Sequence, residues 1–179
     1  MSRITVPAVA SATGATAVAY AEVKKIAGGT VPNLFAAIGH LNPALLTAVL
    51  NAEATLASGS LSKQDLETIK LLISERTGCD YCVAAHVMLG KMVGLTTDTL
   101  KKIRLGQSTG DAKRDALVHF VLNLHETNGT IKDQEYNVIR AAGYTEGQLL
   151  EISLAVAMTI FTNTFNRIND TDIDFPSVN

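Results

Sequence analysis

Tryptophan is absent from the sequence and aromatic residues make up only 5% of it. A core must therefore be filled by Ala, Leu, Ile and Val, a composition that suits close packing of helices. There are only two cysteines, three positions apart. That is too few and too close for the disulfide framework of a small secreted domain. No excess of positive charge exists either: 15 Lys and Arg stand against 17 Asp and Glu, for a net charge of −2. Without a basic patch, neither nucleic acid nor an anionic membrane surface is an expected partner. No run alternates apolar and polar residues between turn signals, so no strand is expected.

Long apolar runs are also lacking. The Ala-rich start is broken by Pro7, Ser11, Thr13, Gly14 and Thr16, which argues against a cleavable signal. The stretch from Leu149 to Phe161 contains Glu151 and Ser153 and is read as too short to span a bilayer. A soluble cytoplasmic protein is the expectation. At 179 residues the chain is long enough for one domain with a sizeable core, expected over residues 1–179 with an irregular tail from about 171 to 179.

Helical periodicity fills most of the remainder. Helices are expected over Ala12 to Ile26, Val31 to Ile38, and from an Asn42 cap with Pro43 at the first position to about Leu56. Further ones run from a cap at Thr96 or Thr97 to Leu105, from Asp111 to Glu126, over Lys132 to Ala142, and from Thr145 to about Ile168. The last is apolar on nearly every side between Leu149 and Phe161, the pattern of a helix buried in a core or a subunit interface. Asn163, Asn166 and Asn169, spaced by three, form a polar strip that reads as its solvated end, with lining the site or capping a neighbour as the alternatives. His119 and His125 read as core or solvent histidines.

The most informative stretch is Glu67 to Lys91, ETIKLLISERTGCDYCVAAHVMLGK. Leu66, Ile69, Leu72 and Ile73 recur at steps of three and four, which predicts a helix over Leu61 to Thr77, capped by Ser62 and ended by Gly78. A second helix begins at the cysteines and weakens at Gly90. The motif helices thus span about 61–90. Cys79, Cys82 and His86 fall within about 60° of one another on that second helix, at 100° per residue. The first-turn amides have no intrahelical partner and carry the positive end of the helix dipole, which stabilises a thiolate. A pair three apart can also close a disulfide with little backbone movement.

From the residues alone three readings stand: a redox pair, two buried cysteines acting as small apolar residues, or a zinc site with two Cys and one His that lacks a fourth ligand. Glu67 alone reads as a solvated charge. If the two helices fold back at Gly78, Glu67 lies about 16 Å and His86 about 12 Å from the bend, at 1.5 Å per residue, so the two can meet. Glu75 and Arg76 are placed to pair with Glu67, to frame a pocket, or to remain surface charges.

At Glu67, Cys79, Cys82 and His86 the chain resembles the alkyl hydroperoxidase D and carboxymuconolactone decarboxylase-like superfamily, in its peroxidase-related branch. That family's redox members carry Glu, eleven residues, then Cys-x-x-Cys-x-x-x-His, the spacing found here. GCDYCVAAH and NDTDIDFP are similar to the wording of the same branch. The resemblance implies an all-α, oligomeric bundle of the alkyl hydroperoxidase D-like type, as a homotrimer or homohexamer, with no cofactor and no metal. It implies a hydroperoxidase or disulfide oxidoreductase that takes a hydroperoxide substrate and is recycled by a thiol or dithiol reductant. Cys82 would meet the peroxide, Cys79 would resolve the sulfenic acid to a disulfide, and Glu67 would be the distal base acting through His86 and water. Where the family's best-described peroxidases have a second histidine, this chain has Tyr81. A phenol with a pKa near 10 does not take up a proton at neutral pH, though it can donate a hydrogen bond. The alternatives are a carboxymuconolactone decarboxylase-type lyase on the same fold, or a non-enzymatic oligomeric helical protein braced by the cysteine pair.

Overall fold

Nine α-helices and no strand are formed among residues 1–178, which the computed structural model describes. Asn179, the last residue of the expected tail, lies outside the described residues. After a short 3-10 turn at Val9–Ser11 come α1 (Gly14–Ile26), α2 (Asn33–Leu41), α3 (Pro43–Ala57), α4 (Lys63–Arg76) and α5 (Asp80–Met92). They are followed by α6 (Thr97–Leu105), α7 (Ala112–Glu126), α8 (Asp133–Ala141) and α9 (Glu146–Asn169). The all-α expectation is borne out, and the helix starts follow local chemistry. Asn42 Oδ1 accepts from Leu45 N at 3.0 Å with Pro43 behind it, and Ser62 Oγ accepts from Asp65 N at 3.0 Å. Each such cap satisfies a backbone donor that the helix cannot, for about 1 kcal/mol.

Helix α4 is the centre of the bundle, packed by α5, α6, α7 and α9. Leu66, Ile69, Leu72 and Ile73 are buried as their spacing requires, but so are Thr68, Leu71 and Ser74 on its other faces. Around it lies the larger apolar cluster, with Leu100, Ile103, Leu117, Val121 and Ile152 from the surrounding helices. A second, smaller cluster joins Tyr20 and Val23 of α1, Leu34 and Ile38 of α2 and Leu46 of α3 to Cys79, Tyr81 and Cys82. The cysteines therefore sit at the seam between the first three helices and the main bundle.

Two expectations about α9 are corrected. The apolar stretch is part of a 24-residue helix that is, by length and composition, long and apolar enough to cross a membrane. Within one copy of the chain, Ile152, Ala155, Thr159, Asn163, Asn166 and Asn169 form one buried stripe, while Leu150 and Ile168 on other faces are exposed. The asparagines read as a solvated end are continuous with the core stripe, at the three-and-four spacing of one helix face. The segment after α9 is irregular but anchored: Asp172 accepts from Ser2 N at 3.0 Å and Asp174 from Asn33 N at 2.8 Å.

Candidate active site

A tight bend between α4 and α5 builds the site. Gly78 takes φ +67°, a left-handed conformation that glycine enters without a Cβ penalty. Cys79 N then donates to Ser74 O at 3.0 Å and Gly78 N to Glu75 O at 3.1 Å, closing the end of α4. The chain reverses there and Cys79 becomes the N-cap of α5, its Sγ accepting from Cys82 N at 3.3 Å. Cys79 is thus one residue before the helix and Cys82 in its first turn. The two are joined as a disulfide with Cα atoms 5.3 Å apart, both residues buried.

Helix α9 holds this bend from the other side. Arg167 Nη1 donates to Thr77 O at 2.7 Å, Asn163 Nδ2 to Thr77 Oγ1 at 2.7 Å, and Asn166 Nδ2 to Cys82 Sγ at 3.2 Å. These contacts were not legible in the sequence. The signal that could have exposed them is the register of the asparagines with Ile152, Ala155 and Thr159, all on the buried stripe.

Glu67 and His86 meet across the α4–α5 hairpin, with His86 Nδ1 at 2.9 Å from Glu67 Oε2 and side chains only 15% and 12% exposed. A carboxylate accepts, so Nδ1 carries the hydrogen and Nε2 is left for other partners. Among the described residues no hydrogen bond joins this pair to either cysteine; His86 lies one turn beyond Cys82, on the same side of α5. Glu75 and Arg76 do not pair with Glu67. Glu75 takes Arg104 Nε at 2.6 Å, and the guanidinium of Arg76 lies against Gly106. Among the described residues no three His, Cys, Asp or Glu side chains cluster as a metal site would need.

Tyr81 is buried, and its role is set by its neighbours. The hydroxyl accepts from Leu34 N at 3.1 Å and the ring packs edge-on against Phe175, centroids 5.2 Å apart. Burial first, then the Asp174 carboxylate, push its pKa well above the ordinary tyrosine value, against the lowering effect of the Leu34 N–H. The phenol is therefore neutral at every physiological pH. It fastens the start of α2 and the C-terminal segment to the cysteine helix.

A cavity of about 350 Å³ opens beside the disulfide, lined by Gly78, Cys79, Asp80, Tyr81, Asn166 and Arg167 together with the segment from Asp170 to Ile173. Cys79 lines it and Cys82 does not. Glu67 and His86 lie outside its wall as well.

Residues 43–117 match the carboxymuconolactone decarboxylase family, a stretch that contains the whole of α4, the bend and α5. No curated protein matches the sequence. An uncharacterized peroxidase-related protein from Ralstonia eutropha JMP134 with an alkylhydroperoxidase AhpD core superposes with a TM-score of 0.85 at 21% identity, over 97% of this chain and 92% of its own. A peroxidase-related protein from Silicibacter sp. TM1040 gives 0.81 at 20% identity, over 96% and 91%. A cysteine-to-alanine variant of the debrominase Bmp8, in complex with 2,3,4-tribromopyrrole, gives 0.77 at 17% identity, over 97% and 94%. At such identities the likeness carries the fold and leaves the reaction open.

Proposed function

We propose, for this chain of the alkyl hydroperoxidase D and carboxymuconolactone decarboxylase-like superfamily, that it reduces hydroperoxides through Cys82 and Cys79. The observation that carries the reading is the cysteine pair itself: a disulfide at the start of a helix, with Cys79 on the wall of an open cavity and Cys82 joined to it. Helix N-termini favour the thiolate, the reactive form of cysteine.

The reaction runs in two steps. The Cys82 thiolate attacks the terminal oxygen of R–O–OH, the O–O bond breaks, and Cys82 becomes a sulfenic acid while RO⁻ takes a proton to leave as an alcohol. The Cys79 thiol then attacks the Cys82 sulfur, forming the disulfide and releasing water. A dithiol reductant returns two electrons and two protons. His86, whose Nδ1–H is fixed by Glu67, offers Nε2 as the group that accepts the thiol proton and passes it to the leaving alkoxide through water. Tyr81 takes no part in this relay, because its phenol neither gains nor loses a proton at neutral pH. The exposed apolar residues of α9, Leu150 and Ile168, suit association of copies into a homotrimer or homohexamer, and a reducing cytoplasm suits the dithiol step.

Steady-state consumption of cumene hydroperoxide with a dithiol reductant tests the proposal. Activity is expected in the wild type and absent in Cys82→Ser and Cys79→Ser. Undiminished turnover in Cys82→Ser overturns it, as does release of bromide from 2,3,4-tribromopyrrole without any hydroperoxide turnover.

A further inference from the structure

Three asparagines project from one face of α9 into the core, and two of them tie it to neighbouring segments. Asn163 donates to Thr77 Oγ1, with its Oδ1 3.4 Å from Ser74 Oγ, whose hydrogen goes to Lys70 O at 2.7 Å, while Asn169 donates to Thr171 Oγ1 at 3.0 Å and accepts from Ile4 N at 2.8 Å. Those two amides are cross-links. Asn166, between them, is only 2% exposed and half satisfied: its Nδ2 donates to Cys82 Sγ, and its Oδ1 has no protein partner among the described residues.

The orientation of that amide is fixed by chemistry. A disulfide sulfur carries no hydrogen, so Asn166 must turn its NH₂ toward Cys82 and its carbonyl oxygen away. A buried acceptor left empty is costly, and such groups in native proteins have a partner or a function. Asn166 also lines the cavity beside the disulfide, where Cys79 is its neighbour. The side chain therefore touches the reacting sulfur with one end and keeps an unused hydrogen-bond acceptor at the other.

We propose that Asn166 is a catalytic residue of the hydroperoxide reaction: its Nδ2–H stabilises the Cys82 thiolate and its Oδ1 accepts the O–H of the hydroperoxide, presenting the terminal oxygen to the sulfur. This rests on the peroxidase reading above. A hydrogen bond to a charged sulfur is stronger than one to a neutral thiol, so the donor favours ionisation. When the thiolate attacks, the O–O bond breaks, the transferred oxygen keeps its hydrogen, and the same Oδ1 accepts from the Cys82 sulfenic acid that forms. Attack by Cys79 then expels that oxygen, which takes a proton and departs as water. The amide changes neither protonation nor redox state throughout.

The test uses the full chain in the Cys79→Ser background, so that Cys82 is its single thiol. Alkylation by iodoacetamide across pH gives the midpoint of Cys82 ionisation, and trapping of the sulfenic acid after addition of cumene hydroperoxide gives the peroxide rate. Adding Asn166→Ala is expected to raise the midpoint by about one unit, a tenfold loss of thiolate at neutral pH. Above the midpoint alkylation recovers to within about threefold, whereas the peroxide reaction stays about tenfold or more slower, because the acceptor is gone. Asn166→Asp keeps the shape and places a carboxylate beside the thiolate, so its midpoint rises further. Asn163→Ala moves neither quantity. An unchanged midpoint in both Asn166 variants, equal losses toward both reagents at full ionisation, or the same shift in Asn163→Ala overturns the proposal. If Cys82 with Asn166 intact meets hydroperoxide no faster than a free thiol, the peroxidase reading fails instead, while the midpoint still decides whether the amide holds the thiolate.

Discussion

Breaking the Glu67–His86 pair tests whether the two act as one device. The contact is 2.9 Å long and both side chains are at most 15% exposed, so its hydrogen bond is charge-assisted and little screened. Such bonds contribute about 1.5–3 kcal/mol, and each 1.36 kcal/mol in a barrier is about tenfold in rate. If Glu67 serves only to hold His86 in its working tautomer and orientation, Glu67→Gln should slow oxidation of reduced protein by hydroperoxide about 10- to 100-fold. His86→Ala removes the proton carrier and should cost about 10²- to 10⁴-fold, the ordinary range for a general acid–base group. The double variant should then be no slower than His86→Ala, a coupling of at least about 1.4 kcal/mol. Stopped-flow rates with excess hydroperoxide give the four corners of the cycle, and thermal melts show that each variant is folded. Independent effects that multiply in the double variant, or a Glu67→Gln rate within twofold of wild type, would refute the reasoning.

Three other perturbations are informative. Tyr81→Phe leaves the buried Leu34 N–H without its acceptor and should cost about 1–3 kcal/mol of stability, yet change turnover less than about threefold, since a phenol with a raised pKa carries no proton; urea titration and steady-state rates check both halves. Glu151 is drawn below the ordinary carboxylate range, burial opposing and the hydrogen bonds from Ser60 and Leu61 prevailing. Its contribution is complete above about pH 4.3, the unfolded value, and is lost as pH falls through the folded one. In Glu151→Gln that component of the acid-induced loss should vanish in urea titrations between pH 6 and 3, whereas an identical pH profile refutes it. Asn163→Ala removes the donor to Thr77 Oγ1 at the bend, whose own hydrogen goes to Ile73 O, and should lower stability by about 0.5–1.5 kcal/mol, measured by urea titration at neutral pH.

Much of this architecture was written locally. Ser62, Asn42, Thr96 and Asp111 each cap the helix expected from them, because capping depends only on residues within one turn. The Gly78 bend brings Glu67 to His86 for the same reason: two helices of known rise, joined by a three-residue reversal, have little freedom. What the sequence hides is the third element. Nothing in the spacing of Asn163, Asn166 and Asn169 says which helix they face, and polar residues near a helix end ordinarily face water. Their burial follows from the docking of α9 against α4, a tertiary event. Tyr81 is similar. Its identity suggested a proton relay with one member exchanged, whereas its contacts with Leu34 and Phe175 make it the fastening of α2 and of the C-terminal segment.

The most direct test of the central claim follows oxidation of each cysteine separately. Reduced Cys79→Ser and Cys82→Ser proteins are exposed to cumene hydroperoxide, with a thiol trap for sulfenic acid and mass spectrometry of the motif peptide over time. The account predicts rapid sulfenic acid at Cys82 in the first variant, about 100-fold or more faster than a free thiol, and only slow oxidation of Cys79 in the second. Equal and slow oxidation of both cysteines, at the rate of a free thiol, would contradict it.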